Sequence, residues 1–202
     1  MIKSKEDLRR YINLDRIAYE KPDEYKGFRA KLSNYVFKDR FFEYMKVLRK
    51  LEYYTNLQKR NPLQQFMFYY YGHKLGKYKA ITGIDLDANV AGPGLRISHG
   101  KCVVSVDARL GSGCKILSDV TIGKLGPYNK DGAPRIGNNV YIGTGARIIG
   151  DIEIADDVVI GANAVVTKSI TEKGITVAGI PAKKISDTDS WWYIHRVPRE
   201  ES

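Results

Sequence analysis

The chain has 202 residues, of which 43% are hydrophobic, and it carries a formal net charge of +10 at pH 7. Its two cysteines are too few for a disulfide-stapled scaffold, and no apolar run is long enough for a secretory signal or a bilayer span. The composition therefore excludes a small disulfide-rich secreted protein and predicts a cytoplasmic protein that meets a membrane only at its surface.

Charged and aromatic residues are distributed unevenly along the chain. Residues 1–80 hold 19 Lys and Arg against 9 Asp and Glu, whereas residues 81–202 hold 14 Lys and Arg against 14 Asp and Glu. The first part also contains 17 of the 22 aromatic residues. We therefore predict three parts: a basic, aromatic-rich helical region at residues 1–80, a second domain at residues 81–185 and a C-terminal tail at residues 186–202.

The first part has the apolar spacing of α-helices. Residues 4–7 form a capping-box sequence, which predicts the start of a first helix. Further helical patterns cover residues 28–36 and residues 39–54. The Asn61-Pro62 pair is typical of the start of a fourth helix, with asparagine as the cap and proline in the first turn.

The basic helices allow two interpretations, which the sequence leaves open. They could bind an anionic partner, or they could present solvated lysine-rich faces to water. A nucleic acid is not expected, because no recognised binding motif is present and the second part is neutral overall. A glycolipid phosphate or an anionic membrane surface is the better candidate, since basic amphipathic helices favour such interfaces.

In the second part, branched aliphatic residues recur at every sixth position, a period that fits neither an α-helix nor an ordinary strand. Two series share this period: Val104, Leu110, Ile116 and Ile122, then Ile136, Ile142, Ile148, Ile154, Ile160 and Val166. With about three short segments per coil, this hexapeptide repeat predicts a parallel β-helix shaped as a triangular prism. Gly76 and Gly83 are expected to end the last helix and release the chain into the first coil.

A longer step separates the two series. From Ile122 to Ile136 the chain advances by 14 residues instead of six, so a loop of about eight residues is inserted into the stack. The insertion lies within residues 124–134, where Gly, Pro, Asn and Asp disfavour regular structure. Such excursions usually cluster on the binding face of a solenoid.

Two cysteines and one histidine are the candidates for side-chain chemistry in this part. Cys114 occupies a small inward position of the repeat, which predicts a reduced core thiol, and Cys102 has no clustered partner for a metal site. His99 lies between Ser98 and Gly100 on a turn, where an exposed imidazole can act as a base near neutral pH. Polar residues are also ordinary on solenoid corners, so both a catalytic and a structural role stay open.

Four features of residues 83–185 occur together: the segment GPGLRISHG at residues 92–100, the hexapeptide ladder, the long loop after Gly123, and VAGIPAKKI at residues 177–185. In this combination the chain resembles the serine acetyltransferase branch of the hexapeptide acyltransferases. The resemblance implies an all-β left-handed parallel β-helix with an α-helical N-terminal region. It also implies an O-acetyltransferase, a homotrimer, acetyl-CoA bound as the acetyl donor between neighbouring prisms, and no required metal.

The resemblance further implies roles for individual residues. His99 is expected to be the general base that takes the proton of an attacking hydroxyl. Asp85 is expected to orient it, with Asp87 as an alternative because the spacing to His99 is not the family's usual one. The positions that correspond to CoA-binding residues of the family are Thr144, Ala162, Ala178, Gly179 and Lys183, with Lys184 as a second candidate for a phosphate.

Three positions depart from the family's pattern. Gly132 and Ala133 stand where serine acetyltransferases carry an Arg-His pair that helps to bind the amino acid, and Ser98 stands where an acidic residue is expected. Fewer polar contacts should weaken recognition of a small zwitterion. The compact layout and the GPGL corner also resemble the acetyltransferases associated with surface-polysaccharide synthesis, the polysaccharide O-acetyltransferase branch, and this resemblance implies a sugar hydroxyl as the acceptor. The sugar would belong to a capsule, O-antigen or exopolysaccharide precursor of surface-polysaccharide biosynthesis, free or in a glycolipid. Two alternatives stay open: L-serine O-acetyltransferase of cysteine biosynthesis, and a non-catalytic trimeric scaffold.

Overall fold

A computed structural model describes residues 1–22, 39–126 and 132–195. Helices α1 (Lys5–Ala18), α2 (Arg40–Thr55) and α3 (Pro62–Thr82) precede the repeat, as their sequence patterns predict. The helix expected at residues 28–36 lies outside the described residues.

Reciprocal side-chain caps explain where α1 and α3 begin. Ser4 Oγ accepts a hydrogen bond from the Asp7 amide at 3.0 Å, and Asp7 Oδ2 accepts one from the Ser4 amide at 3.0 Å, so the predicted capping box is confirmed. Asn61 and Gln64 exchange the same pair of bonds ahead of α3, at 2.8 and 2.9 Å. Each cap satisfies amides that have no partner inside the helix.

The end of α3 differs from the prediction. Gly76 does not end the helix, because an isolated glycine destabilises a helix by only about 1 kcal/mol and tertiary packing outweighs that. The chain leaves the helix at Gly83, which has a left-handed φ of 69° and whose amide donates to the Lys79 carbonyl at 2.9 Å. Gly83 therefore ends the helix as expected.

Residues 84–186 form a prism of short strands. In chain order these are β1 (Ile84–Asp85), β2 (Arg96–Ile97), β3 (Cys102–Val104), β4 (Arg109–Leu110), β5 (Lys115–Ile116), β6 (Val120–Gly123), β7 (Arg135–Ile136), β8 (Tyr141–Ile142), β9 (Arg147–Ile149), β10 (Glu153–Ile154), β11 (Val159–Ile160), β12 (Val165–Val166), β13 (Thr176–Ala178) and β14 (Lys183–Ser186). A short helix, α4 (Trp191–His195), follows them.

The strands lie in three sheets, which are the faces of the prism. Face A contains β1, β3, β6, β9 and β12; face B contains β4, β7 and β10; face C contains β2, β5, β8, β11, β13 and β14. Neighbouring strands of a face come from successive coils and pair in parallel, except that β14 pairs antiparallel with β13. The chain therefore winds around the prism once per coil.

The strand register confirms the hexapeptide repeat. On face A, Cys102 pairs with Val120 and Arg147 pairs with Val165, so one coil advances the chain by 18 residues, or three hexapeptides. Between β6 and β9 the advance is 26 residues, since Thr121 pairs with Arg147. The difference, 26 minus 18, is eight residues and confirms the inserted loop.

The interior of the prism is filled by the two predicted aliphatic series. None of their ten residues has more than 5% of its surface exposed. Cys102 and Cys114 are free cysteines and are buried in the same core. Burial raises the pKa of each thiol to about 12, because the apolar surroundings disfavour the thiolate. Cys114 is therefore a core thiol, as the repeat predicts.

Two tyrosines from the helices cover the open edge of the first coil. The Tyr44 hydroxyl donates to the Leu86 carbonyl at 2.7 Å, and the Tyr19 hydroxyl donates to the Ile97 carbonyl at 3.2 Å and accepts from the Ile97 amide at 3.0 Å. Burial raises the pKa of both tyrosines. The hydroxyls form hydrogen bonds with backbone groups that would otherwise be free to pair with a further strand. The helical region therefore caps the end of the solenoid.

A buried charge cluster joins the helices to the first coil. Arg49 Nε lies 2.8 Å from Asp15 Oδ2, and Arg49 Nη1 lies 3.0 Å from Glu52 Oε2. Arg49 Nη1 also donates to the Ala91 carbonyl at 2.9 Å, while Asp15 Oδ1 accepts from the Gly94 amide at 2.8 Å. Because the backbone of the coil completes the cluster, α1, α2 and the prism are held in a defined orientation.

The positive charge of residues 1–80 is partly neutralised within the fold. Lys21 pairs with Asp39 at 3.0 Å, and Lys79 pairs with Asp85 at 2.7 Å. None of the helices in the described ranges is long and apolar enough to cross a membrane. Contact of this region with an anionic membrane surface stays a prediction.

The C-terminal segment packs on face C of its own prism. Lys115 Nζ donates to the Tyr193 carbonyl at 2.9 Å, and the rings of Tyr141 and Tyr193 have centroids 4.9 Å apart. Ser190 is fully buried, and its amide donates to the Asp157 carbonyl at 3.1 Å. Helix α4 therefore covers part of the outer surface of face C.

Candidate active site

The chain turns from face C to face A at a corner in every coil, and we call the stacked corners the C–A edge. Residues 98–101, between β2 and β3, form the first corner. His99 lies there with an exposed side chain. Gly100 is pressed against the helices, since a Cβ atom at this position would lie 2.4 Å from the Thr82 carbonyl oxygen. The close approach of α3 therefore requires glycine here and leaves the neighbouring imidazole on the outer side.

The backbone of the first corner differs from the corners below it. Asp119, Gly145 and Asn163 are the residues with positive φ in the second, third and fourth corners, at 60°, 76° and 56°. The first corner instead has three consecutive residues with positive φ: His99 at 68°, Gly100 at 68° and Lys101 at 49°. Left-handed backbone is uncommon for residues other than glycine, and such outliers concentrate at functional sites.

Hydrogen bonds stack the corners along one line. The backbone bonds measure 2.5 to 3.0 Å and join Asp119 N to Lys101 O, Gly145 N to Ser118 O, Asn163 N to Thr144 O, and Val165 N to Gly179 O. Coils about 4.8 Å apart place the fifth corner about 19 Å from the first. The structure therefore brings His99 and four of the predicted CoA positions onto a single edge: Thr144, Ala162, Ala178 and Gly179.

The lower part of the C–A edge carries small side chains and is closely stacked. Thr144 and Ala162 are exposed. A Cβ atom at Gly143 would lie 2.6 Å from the Ala162 amide nitrogen, so only glycine allows these two corners to stack so closely. An edge with such small side chains can accept an extended ligand against its backbone groups.

Lys183 and Lys184 line a cavity of about 390 Å³ beyond the last coil. Lys184 Nζ is held by Glu172 and Asp187, each at 2.6 Å, and these two hydrogen bonds raise its pKa. Lys183 is exposed and makes no ion pair within the part of the chain that the structure describes. Lys183 is therefore the better candidate to bind a phosphate, because Lys184 is already paired with two carboxylates.

Asp85 and Asp87 share one lysine. Lys79 Nζ lies 2.7 Å from Asp85 Oδ1 and 2.7 Å from Asp87 Oδ1. Burial opposes the charge of Lys79, but hydrogen bonds from its ammonium group to the two carboxylates outweigh this and raise its pKa. In the described ranges no hydrogen bond joins either carboxylate to His99, so the orienting role of Asp85 stays a prediction.

A cavity of about 450 Å³ opens beside His99. Its lining includes Tyr19, Asp39, Arg96, His99, Lys115 and Tyr141. Sequence reasoning treated Asp39 only as the start of a helical pattern and did not single out Arg96. The available signal for Arg96 was its outward position on β2, next to the inward Ile97 and three residues before His99.

Arg96 and Asp39 are each already paired with an opposite charge from the residues that follow α1. Arg96 Nη1 lies 2.6 Å from Glu20 Oε1, and Asp39 Oδ2 lies 3.0 Å from Lys21 Nζ. Burial disfavours the charged form of Asp39, but hydrogen bonds from Lys21 and from backbone amides outweigh it and lower the pKa of Asp39. Asp39 is therefore a carboxylate at neutral pH.

Gly132 and Ala133 lie away from this cavity. Ala133 is 3% exposed and belongs to the core of the prism. A Cβ atom at Gly132 would lie 2.8 Å from Asp151 Oδ1, the end of a partly exposed side chain that can move aside. Of the two positions where the family carries an Arg-His pair, Ala133 thus supplies packing in this chain.

Known proteins with a similar sequence share the hexapeptide repeat. Residues 133–168 match the family model "Bacterial transferase hexapeptide (six repeats)". The chain is 36% identical to the serine acetyltransferase of Helicobacter pylori (strain ATCC 700392 / 26695) over 129 residues, which cover 62% of this chain and 75% of that protein.

Solved structures share the architecture. Serine acetyltransferase from Brucella abortus strain S19 in complex with coenzyme A is 26% identical, with a TM-score of 0.69 over 91% of this chain and 70% of that one. Soybean serine acetyltransferase complexed with serine is 26% identical, with a TM-score of 0.67 over 88% of this chain and 69% of that one. The predicted fold class, a left-handed parallel β-helix with an α-helical N-terminal region, is confirmed.

Proposed function

The chain belongs to the hexapeptide-repeat transferases, in the group of the serine acetyltransferases, and from this premise we propose that it acetylates the hydroxyl of L-serine. It is an O-acetyltransferase, and its acetyl donor is acetyl-CoA. The observation that carries the proposal is the C–A edge, where His99 and four of the positions expected to contact CoA follow one another. The products are O-acetyl-L-serine, as used in cysteine biosynthesis, and CoA.

The sugar acceptor expected from the sequence is wrong. The relative and the two structures compared above are serine acetyltransferases, and one of the structures is complexed with serine. The sugar prediction rested on the missing polar contacts at Gly132, Ala133 and Ser98 and on a resemblance to polysaccharide-associated acetyltransferases, yet the fold brings Arg96 and Asp39 to the cavity beside His99. The alternative of a non-catalytic scaffold is also wrong, because the group consists of enzymes.

In the proposed mechanism His99 is the general base. An alcohol is a weak nucleophile near neutral pH, so its proton must leave as its oxygen attacks the thioester carbon. The imidazole takes this proton, the carbon–sulfur bond then breaks, and the imidazole returns the proton to the departing thiolate of CoA. No acyl-enzyme is required, since both substrates lie side by side in a ternary complex.

Two further elements complete the proposed site. A backbone amide of the C–A edge is expected to donate to the oxyanion that forms on the thioester carbonyl. A small side chain such as that of Ala162, which is exposed, lets a ligand approach the backbone closely enough for a backbone group to be this donor. Thr144, Ala162, Ala178, Gly179 and Lys183 are proposed to bind CoA.

The proposal includes a homotrimer, with acetyl-CoA lying between the C–A edge of one prism and a neighbouring prism. The exposure of Thr144 and Ala162 supports this arrangement, since a ligand lying along a convex edge needs a second surface to cover it. Sedimentation analysis of the full chain tests the oligomeric state directly. A monomer that retains full activity would contradict the shared site.

A thiol-release assay tests the acceptor. Purified protein is mixed with acetyl-CoA and either L-serine or a panel of free hexoses, and the acylated product is identified by mass spectrometry. We expect turnover on the order of 1 to 1,000 per second with L-serine. Acetylation of a hexose without turnover of L-serine would refute the proposed acceptor.

A further inference from the structure

We propose that Arg96 and Asp39 recognise the two charges of the amino-acid acceptor, with Arg96 binding its carboxylate and Asp39 binding its ammonium group. This assignment rests on the proposed function, because it names contacts of the same site. Both side chains line the cavity of about 450 Å³ that contains His99. The hydroxyl, carboxylate and ammonium groups of serine sit on two adjacent carbons, so a base and two opposite charges around one small cavity match them.

The chain itself shows that each residue accepts the charge assigned to it. Arg96 holds the carboxylate of Glu20 at 2.6 Å, and Asp39 holds the ammonium group of Lys21 at 3.0 Å. Glu20 and Lys21 are consecutive and follow α1, so one short segment supplies both the carboxylate that pairs with Arg96 and the ammonium group that pairs with Asp39. The Glu20 side chain is 59% exposed, and a substrate carboxylate can displace it at little expense of buried contact.

Both recognising groups are held in place by other contacts. Arg96 Nη1 also donates to the Ala18 carbonyl at 3.1 Å. Asp39 Oδ1 accepts from the Phe41 and Phe42 amides at 3.0 and 3.2 Å as the cap of α2, which leaves Oδ2 to face a cation. A site whose charges are already oriented loses less entropy when the ligand binds.

Lys115 is the other cation of the cavity and is less suited to the carboxylate. Its side chain is buried, and its ammonium group donates to the Tyr193 carbonyl at 2.9 Å. Binding a substrate there would first break one of the contacts that hold α4 on face C. Arg96, whose partner is an exposed side chain, is therefore the cation available to a small acid.

The experiment measures kinetic constants for acceptors that lack one charge. L-Serine methyl ester has no carboxylate, and 3-hydroxypropionate has no ammonium group. We expect Arg96→Met to raise the KM for L-serine about 10- to 100-fold and to raise the KM for the methyl ester much less. Asp39→Asn should raise the KM for L-serine by a similar factor and that for 3-hydroxypropionate much less, while asparagine keeps the helix cap.

Two further variants make the result specific. Arg9→Met removes one positive charge from the exposed surface of α1, about 13 Å along the helix from its end. It should leave the KM for L-serine unchanged relative to the KM for the methyl ester and to that for 3-hydroxypropionate. Glu20→Gln removes the competing carboxylate and should lower the KM for L-serine a few-fold. Coenzyme A calorimetry on the same sample shows whether Arg96→Met is folded. If it is not, the Glu20→Gln variant still tests the assignment.

The outcomes separate the two proposals. If the wild-type protein turns over L-serine but the ratio of KM values for L-serine and its methyl ester is the same in Arg96→Met, the assignment of Arg96 is overturned and the proposed function stands. If the ratio of KM values for L-serine and 3-hydroxypropionate is the same in Asp39→Asn as in the wild-type protein, the assignment of Asp39 is overturned. If the wild-type protein does not turn over L-serine at all, the proposed function and this assignment fall together.

Discussion

The guanidinium group of Arg49 lies 2.8 Å from the carboxylate of Asp15, and both side chains are fully buried where the helices meet the first coil. Arg49 belongs to α2 and Asp15 to α1, and each also bonds to the backbone of the coil. The ion pair therefore connects three parts of the molecule. The cavity beside His99 lies between the same parts, since Tyr19, Asp39 and Arg96 come from the helical region and from β2.

Arg49→Met should strongly destabilise the protein. The replacement leaves Asp15 and Glu52 buried without a counter-charge, which typically lowers the free energy of unfolding by about 3–5 kcal/mol. Guanidinium titration followed by helical circular dichroism measures the change. The surface variant Arg9→Met is the control and should stay within about 0.5 kcal/mol of wild type. A loss below about 1 kcal/mol for Arg49→Met would show that the cluster contributes little.

His99→Ala should lower kcat by about two to four orders of magnitude, because the variant has no group to take the proton of the hydroxyl. The imidazole is exposed and packs into no core, so folding and coenzyme A binding should stay close to wild type. Steady-state kinetics and coenzyme A calorimetry on the same preparation check both points. Wild-type turnover in this variant would remove His99 from the mechanism.

Asp85→Asn should lower kcat more than Asp87→Asn. Asp85 is paired across face A with Val103, close to the first corner, whereas Asp87 lies two residues, or about 7 Å, further along the chain. Both carboxylates contact Lys79, so the two variants remove the same kind of ion pair and control for each other. Equal losses in kcat would mean that neither carboxylate specifically orients His99.

Lys183→Met should weaken coenzyme A binding more than Lys184→Met. Glu172 and Asp187 already neutralise Lys184, whereas Lys183 has no ion pair in the described ranges and can give its full charge to a phosphate. Calorimetric titration at two salt concentrations measures the difference, and the Lys183 contribution should shrink at the higher salt concentration. A larger loss in Lys184→Met would reverse the assignment.

The two cysteines should be unreactive in the folded protein. With a pKa of about 12, set by burial, each thiol is protonated at pH 8, and only about one molecule in ten thousand carries the thiolate. A disulfide reagent should therefore label no cysteine in buffer and both in guanidinium. Fast labelling of the native protein would show that Cys102 or Cys114 is accessible, and would also require a correction to thiol-release assays.

The repeat domain could be predicted from the sequence in some detail. The six-residue period of the aliphatic residues, the step of 14 between Ile122 and Ile136, and the capping sequences are local or periodic patterns. Such patterns report whether a single position faces inward or outward, and every coil repeats the same information. Gly76 shows the limit, because its local preference for ending a helix is overridden by packing along α3.

The candidate site could be predicted only in part. The single exposed histidine on a glycine-flanked turn identified His99, but the charges around it come from elements that are distant in the chain. Arg96 belongs to β2 and Asp39 caps α2, and nothing in either local sequence indicates that the two side chains line one cavity. The missing Arg-His pair at Gly132 and Ala133, together with a resemblance to polysaccharide-associated acetyltransferases, therefore led to the wrong acceptor.

The sequence by itself determined the prism, its register and the position of the inserted loop, because a solenoid repeats one short-range rule in every coil. Only the tertiary structure decided which side chains meet beside His99, because that depends on how α1 and α2 dock on the first coil. The docking depends on the pairing of Arg49 with Asp15, two residues that are 34 positions apart in sequence, and such a pair leaves no periodic trace.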